Sequence, residues 1–152
     1  MLKIDKVLPQ DIVLLAPLLT DWARHQNVPF LLDYANTGQW LAKCLSDPEY
    51  GCFAAYHKHE LVGWILGKLS NYTFTQMLFA QEISWYVAEG YRGVGVGRAL
   101  MDKFTEWAKE NKASGVISTI LLSASKDTGE AAIGGLVKSG FNEFERTFYK
   151  SL

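Results

Sequence analysis

Residues 82–100 constrain this chain more than any other stretch. An apolar, strand-like run, Ile83-Ser84-Trp85-Tyr86-Val87, leads into Tyr91-Arg92-Gly93-Val94-Gly95-Val96-Gly97, and Arg98-Ala99-Leu100 then opens an amphipathic helix. Strand, glycine-rich turn and helix in that order build a place for an anion. Glycines let the backbone turn sharply and approach a ligand closely. The first helical N–H groups have no partner within the helix, and the dipole adds partial positive charge there. A side chain at Gly95 or Gly97 would stand in the anion's path. Arg92 and Arg98 add full charges nearby. The arrangement suits a pyrophosphate, although the alternating glycines alone fit equally well a tight turn that binds nothing.

The rest of the composition sets limits on the ligand and its setting. At 152 residues the chain suits one domain, spanning 1–152, with room for a sizeable core. Hydrophobic residues make up 49%, a globular proportion. The formal net charge of -1 gives no global attraction to nucleic acid or to an anionic membrane. Cys44 and Cys52 are too few for a disulfide framework and unpatterned for zinc; packed thiols are expected. The apolar run 12–19 is interrupted by Pro17 and too short to cross a bilayer. Residues 1–5 already read as a strand rather than a signal peptide, so a cytoplasmic protein is expected.

Patterning supplies the other elements. Residues 2–7 alternate as a half-buried strand. Asp11 suits the cap of a helix with Ile12, Leu15, Leu19, Trp22 and Ala23 on one face, which Pro17 either kinks or starts. A second helix is predicted over about 37–45. Strands 51–56 and 61–69 form a hairpin across His57-Lys58-His59-Glu60, and 77–88 is the strand before the glycine turn. The helix after it carries Val96, Leu100, Phe104, Trp107 and Ala108 as a stripe. A strand over 116–124, a helix over 128–139 capped by Gly140, and a last strand or pair over 141–150 complete the chain. This order predicts an α/β (α+β) domain with a mixed, mostly antiparallel sheet of about six or seven strands flanked by about four helices.

Two familiar phosphate sites are excluded by inspection. No lysine-hydroxyl pair follows the glycines, as a P-loop requires. No carboxylate stands in 115–119, where a dinucleotide fold would place its ribose ligand. What remains, Arg92-Gly93-Val94-Gly95-Val96-Gly97, resembles the Arg/Gln-x-x-Gly-x-Gly/Ala signature of the GNAT superfamily of acyl-CoA-dependent N-acyltransferases. Trp85-Tyr86-Val87-Ala88 before it and Arg98-Ala99-Leu100-Met101 after it look like that family's fourth strand and following helix. Residues 131–141, ending in Gly140-Phe141, are similar to its closing helix.

The resemblance implies acetyl-CoA as cosubstrate, with no metal, and transfer of an acetyl group to a primary amine of a small molecule or protein. It implies that backbone groups from Arg92 through Gly93, Val94, Gly95, Val96 and Gly97 bind the pyrophosphate. It implies that Val87 pairs with the pantetheine arm, in a V-shaped gap between strands ending at Val87 and Ala124, and that a backbone N–H near Val87 holds the oxyanion. Glu82 is similar to the strand-four glutamate that serves as general base in histone-type members. Read without the family, Glu82 is equally an edge carboxylate facing solvent or paired with a lysine. Strict alternation places Glu82 with Ser84 and Tyr86, and a bulge would exchange the faces. Where many members carry an asparagine and an acid tyrosine in the closing helix, this chain has Gly129 and Leu136. Ser125 or Tyr149 can substitute, the thiolate can leave unaided, or the protein is a non-catalytic acyl-CoA-binding or partner-regulating module. Trp22, Phe30, Tyr34 and Trp40, with Tyr72, Phe74 and Phe79 opposite, fit an acceptor cleft or ordinary core packing. His57 and His59 lack a third metal ligand. The last strand offers an edge for a homodimer, and the near-neutral charge speaks against a nucleic-acid acceptor.

Overall fold

Alternating apolar residues at the N-terminus become β1 (Leu2–Lys6), and a short 3-10 turn at Pro9–Asp11 hands the chain to α1 (Ile12–Gln26). In this computed structural model the described residues are 1–26, 33–120, 126–148, 150 and 152. Asp11 acts from inside the turn, where its carboxylate accepts from the Leu8 N–H at 3.1 Å. Pro17 lies within α1 on its exposed side, so the carbonyl it leaves unpaired faces water and the helix continues. Helix α2 (Tyr34–Ser46) starts earlier than the pattern predicts, because Asp33 caps it and accepts from the Asn36 N–H at 3.0 Å.

β2 (Tyr50–His57) and β3 (Glu60–Asn71) turn through Lys58 and His59, both at positive φ. Two such residues make the two-residue turn whose twist matches paired strands. β4 (Leu78–Val87) follows, then α3 (Val96–Glu110), β5 (Gly115–Ile117) and α4 (Lys126–Lys138). The sheet runs β1-β2-β3-β4-β5, antiparallel from β1 to β4 and parallel between β4 and β5. α1 and α2 cover one face over Leu15, Leu18, Leu41, Trp64, Leu66 and Tyr86. α3, with Leu136 of α4, covers the other over Ile65, Ala80, Leu100, Phe104 and Trp107. The apolar stripe of α3 is buried as its spacing predicts, each such side chain contributing roughly 2 kcal/mol.

Three expectations are corrected. The sheet has five strands among the described residues rather than six or seven. β5 stops at Ile117, and just beyond it the Thr119 N–H bonds a β4 side chain instead of the β4 backbone; the expected continuation over 121–124 lies outside the described residues. No strand forms over 141–148. Phe141 and Phe144, three residues apart, would fall on opposite faces of a strand. Phe141 joins the core and Phe144 packs edge-on against Tyr72 at 5.6 Å between ring centroids, while Phe148 is exposed. The edge proposed for pairing with a second copy is therefore not a strand in these residues.

Candidate active site

The turn between β4 and α3 is built as its glycines require. Gly93 and Gly95 have φ of 76° and 92°, a left-handed region that side chains disfavour. The Ala99 N–H makes its helical bond to the Gly95 carbonyl at 3.0 Å. The amides of Val96, Gly97 and Arg98 precede that bond and have no helical acceptor. A Cβ at Gly93 or Gly95 would meet nothing within 4 Å, so the ground outside the turn is open. A Cβ at Gly97 would lie 3.2 Å from Trp85 Cζ2, so its bareness also seats α3 against β4.

Arg92 turns back along the strand. Its Nε donates to the Val87 carbonyl at 2.9 Å, and its guanidinium lies 5.4 Å from the centre of the Tyr86 ring. The Ala88 N–H reaches across to Val62 O on β3. By alternation, the Val87 N–H and carbonyl point the other way, toward the edge of β4 away from β3. Arg92 already engages that carbonyl, which leaves the amide on the edge away from β3. Arg98 is exposed, near Asp102 at 3.8 Å.

Among the described residues, β5 pairs with β4 only at Phe79, Ala80 and Gln81, and the ladder ends before Glu82. The register of β4 against β3 shifts here: Leu66 faces Ser84 while Gly67 faces Glu82, and Ile83 is the extra residue. Facing residues share a side of the sheet. A Cβ at Gly67 would strike Phe104 of α3, so Glu82 lies on the α3 side, with Trp85 and Val87. Ser84 and Tyr86 lie on the α1 side, where Trp64 Nε1 donates to Ser84 Oγ at 2.9 Å. Strict alternation had grouped Glu82 with Ser84 and Tyr86; the bulge overturns that.

Glu82 is buried at 5% exposure, and its Oε2 accepts from Ser118 Oγ at 2.9 Å and from the Thr119 N–H at 3.0 Å. Burial pushes its carboxyl up to about 7, against the opposing pull of the Thr119 amide and the Ser118 hydroxyl. Among the described residues neither alternative environment, solvent or a lysine partner, surrounds it. Tyr86 forms a second cluster on the opposite face. Its hydroxyl donates to Asp21 Oδ2 at 2.5 Å and lies 3.3 Å from His25 Nδ1. Burial, followed by the Asp21 contact, raises that phenol well above the ordinary tyrosine range.

Other candidates are placed plainly. Leu136 is a core residue, so this position of α4 offers no acid. Ser125, Tyr149, Phe30 and Ala124 lie outside the described residues. Cys44 and Cys52 are buried, and burial pushes the Cys52 thiol up to about 12, which suits packing rather than nucleophilic attack. Among the described residues no three His, Cys, Asp or Glu side chains gather for a metal. A cavity of about 620 Å³ lies elsewhere, between the outer side of α3 and residues 139–144, and neither Glu82 nor the glycine turn lines it. Sequence reasoning missed Ser118, whose partner is 36 positions away, and the indole of Trp85. Trp85 Nε1 is buried with no hydrogen-bond partner among the described residues, beside Gly97. That orphaned donor, the unpaired amides of α3 and the Val87 amide on the edge away from β3 fit a ligand rich in phosphate and amide oxygens. Only the signal for the turn was local enough to read from sequence.

Comparisons with known proteins agree. The model of the acetyltransferase (GNAT) family matches residues 16–141. No curated protein matches the sequence. Among solved structures, an aminoglycoside acetyltransferase from an uncultured soil metagenomic sample superposes with a TM-score of 0.78 at 18% identity, over 100% of this chain and 99% of that one. A predicted acetyltransferase with acetyl-CoA from Clostridium acetobutylicum gives 0.79 at 13% identity, over 99% and 96%. A ribosomal-protein-alanine N-acetyltransferase from Brucella melitensis gives 0.73 at 20% identity, over 100% and 99%. No helix among the described residues is long and apolar enough to cross a membrane. With the family pattern running through most of its length, the chain belongs to the GNAT family and is an acyl-CoA-dependent N-acetyltransferase by that membership.

Proposed function

We propose that residues 1–152 act as one catalytic domain that moves the acetyl group of acetyl-CoA to a primary amine, with Glu82 as general base. The observation that carries this reading is a buried carboxyl, held near neutral proton affinity, where β4 and β5 part and within one strand of the bare helix start. Acetyl-CoA supplies an activated acyl group on a thiol that can leave as thiolate. Backbone groups from Arg92 through Gly97 hold the pyrophosphate, with Val96, Gly97 and Arg98 presenting unpaired amides. Trp85 Nε1 adds a donor beside them. The Val87 N–H, on the edge away from β3, takes part in pairing with the pantetheine arm or stabilises charge on the carbonyl oxygen. Glu82 takes the amine proton directly or through a water, which calls for its ionised form. A carboxyl near 7 is divided between its two forms at neutral pH, as a base working there needs.

The acceptor class stays broad in this proposal: a small-molecule or protein amine. Structures of similar fold are named for aminoglycosides and for a ribosomal-protein alanine, and both acceptor types belong in the test. A cytoplasmic setting, where acetyl-CoA is made available, fits the same reading. A second reading, a module that binds acyl-CoA without turnover, is favoured by one observation: Leu136 is packed into the core where many relatives place an acid. Calorimetric titration with acetyl-CoA, followed by thiol release against amines, polyamines, amino acids, aminoglycosides and lysine peptides, decides between them. Turnover lost in Glu82→Gln with binding retained supports the enzyme. Binding with no turnover on any acceptor supports the module, and no binding at submillimolar acetyl-CoA removes both.

A further inference from the structure

The ladder between β4 and β5 stops at Gln81 and Ile117. The next pair in register is Glu82 with Ser118, and there the link changes in kind. Ser118 Oγ and the Thr119 N–H both donate to one oxygen of Glu82, Oε2, at 2.9 and 3.0 Å. Among the described residues, a side chain thus makes the last tie between the strands, just past the end of their ladder. An oxygen that accepts from a fixed backbone amide is held as an acceptor. Any proton the carboxyl carries then belongs on Oε1, while the Ser118 hydroxyl favours the ionised form.

We propose that Ser118 is a positioning residue, which fixes the Glu82 carboxyl at the parting of the strands and favours its ionised form. The proposal rests on Glu82 being the base. It is independent of the acceptor's identity. Surrounding charges do not supply the effect among the described residues. Gly67 faces Glu82 from β3 and Phe104 of α3 covers Gly67. Lys68 is drawn to Glu49 at 3.6 Å, and Arg92 is engaged at Val87, five residues along. β5 and its continuation present Val116, Ser118 and Thr119, none of them charged. Burial works against ionisation, so the donors are what oppose it.

The test compares wild type with Ser118→Ala and Ser118→Thr in the full chain. Carbon NMR of glutamate-labelled protein follows the Glu82 carboxyl, identified by its loss in Glu82→Gln, and needs no turnover. In Ser118→Ala the midpoint should rise by about one pH unit, with the Thr119 amide left as the remaining donor. Ser118→Thr, which keeps a hydroxyl, should hold the wild-type midpoint. The acid limb of kcat/KM for thiol release from acetyl-CoA, with an amine acceptor found in the panel above, should move with the carboxyl signal. A carboxyl midpoint unmoved in Ser118→Ala overturns the proposal whatever the rates do. A moved midpoint with a stationary acid limb keeps the positioning role and removes Glu82 as base.

Discussion

Glu82 is almost wholly withdrawn from water, and burial dominates the upward shift of its carboxyl. The shift has a sign that stability measurements can read. The unfolded chain loses the proton near 4.5, whereas the folded one holds it to about 7. The group's contribution is fully present below about 4.5 and is lost as pH rises toward 7. Glu82→Gln lacks this proton, so wild type should lose stability relative to the variant across that window, by roughly 3 kcal/mol at most, and no further above it. Urea unfolding midpoints of both proteins from pH 4.5 to 8 check the expectation; parallel curves would contradict it. The catalytic consequence is separate. Glu82→Gln should lower kcat/KM by about 10²–10⁴ while leaving acetyl-CoA affinity near wild type, as calorimetry and thiol release together would show.

The β4–α3 junction has a different logic from the carboxyl. Gly95 caps α3 at a φ of 92°, with open space outside it, whereas Gly97 faces Trp85. A β-branched residue at Gly95 forces a strained backbone and tilts the free amides, at a cost of about 1–3 kcal/mol. Gly95→Val should therefore weaken acetyl-CoA binding by about tenfold or more in calorimetry, with circular dichroism still showing the fold. Gly97→Val should instead loosen α3 from β4 and lower the melting temperature. Packing of α3 sets a third expectation. A Cβ at Gly67 would come within 2.3 Å of Phe104 Cζ, so the strand is bare where the ring sits. Phe104→Ala should destabilise by about 3–5 kcal/mol, read as a fall in the urea midpoint.

At the scale of the whole molecule, the cosubstrate site spans a strand edge, a turn and a helix start, so ligand binding should stabilise the fold they share. Acetyl-CoA at about a hundred times its dissociation constant adds about 2.7 kcal/mol, or about 5–10 °C in melting temperature. Thermal shift against ligand concentration checks this, and Gly95→Val should blunt the response.

Much of this molecule was legible in the chain because the signals were local. The turn 91–97 declares itself through glycines a few residues apart, and the stripe Val96–Leu100–Phe104 follows from helical period alone. Gly140, at a φ of 90°, closes α4 as its position suggested, and the Phe141 N–H returns to Leu136 O at 3.0 Å. What the sequence by itself determined, then, was the order of elements through α4, the anion-ready elbow and the family. Tertiary structure alone decided the side of the sheet on which Glu82 stands, since one extra residue at Ile83 reverses a period-two pattern and shows only when β3 is laid beside β4. It also decided the company of that carboxyl. Ser118 and Thr119 lie far along the chain from Glu82, and no local pattern encodes a hydrogen bond that exists only once two strands have met and begun to part.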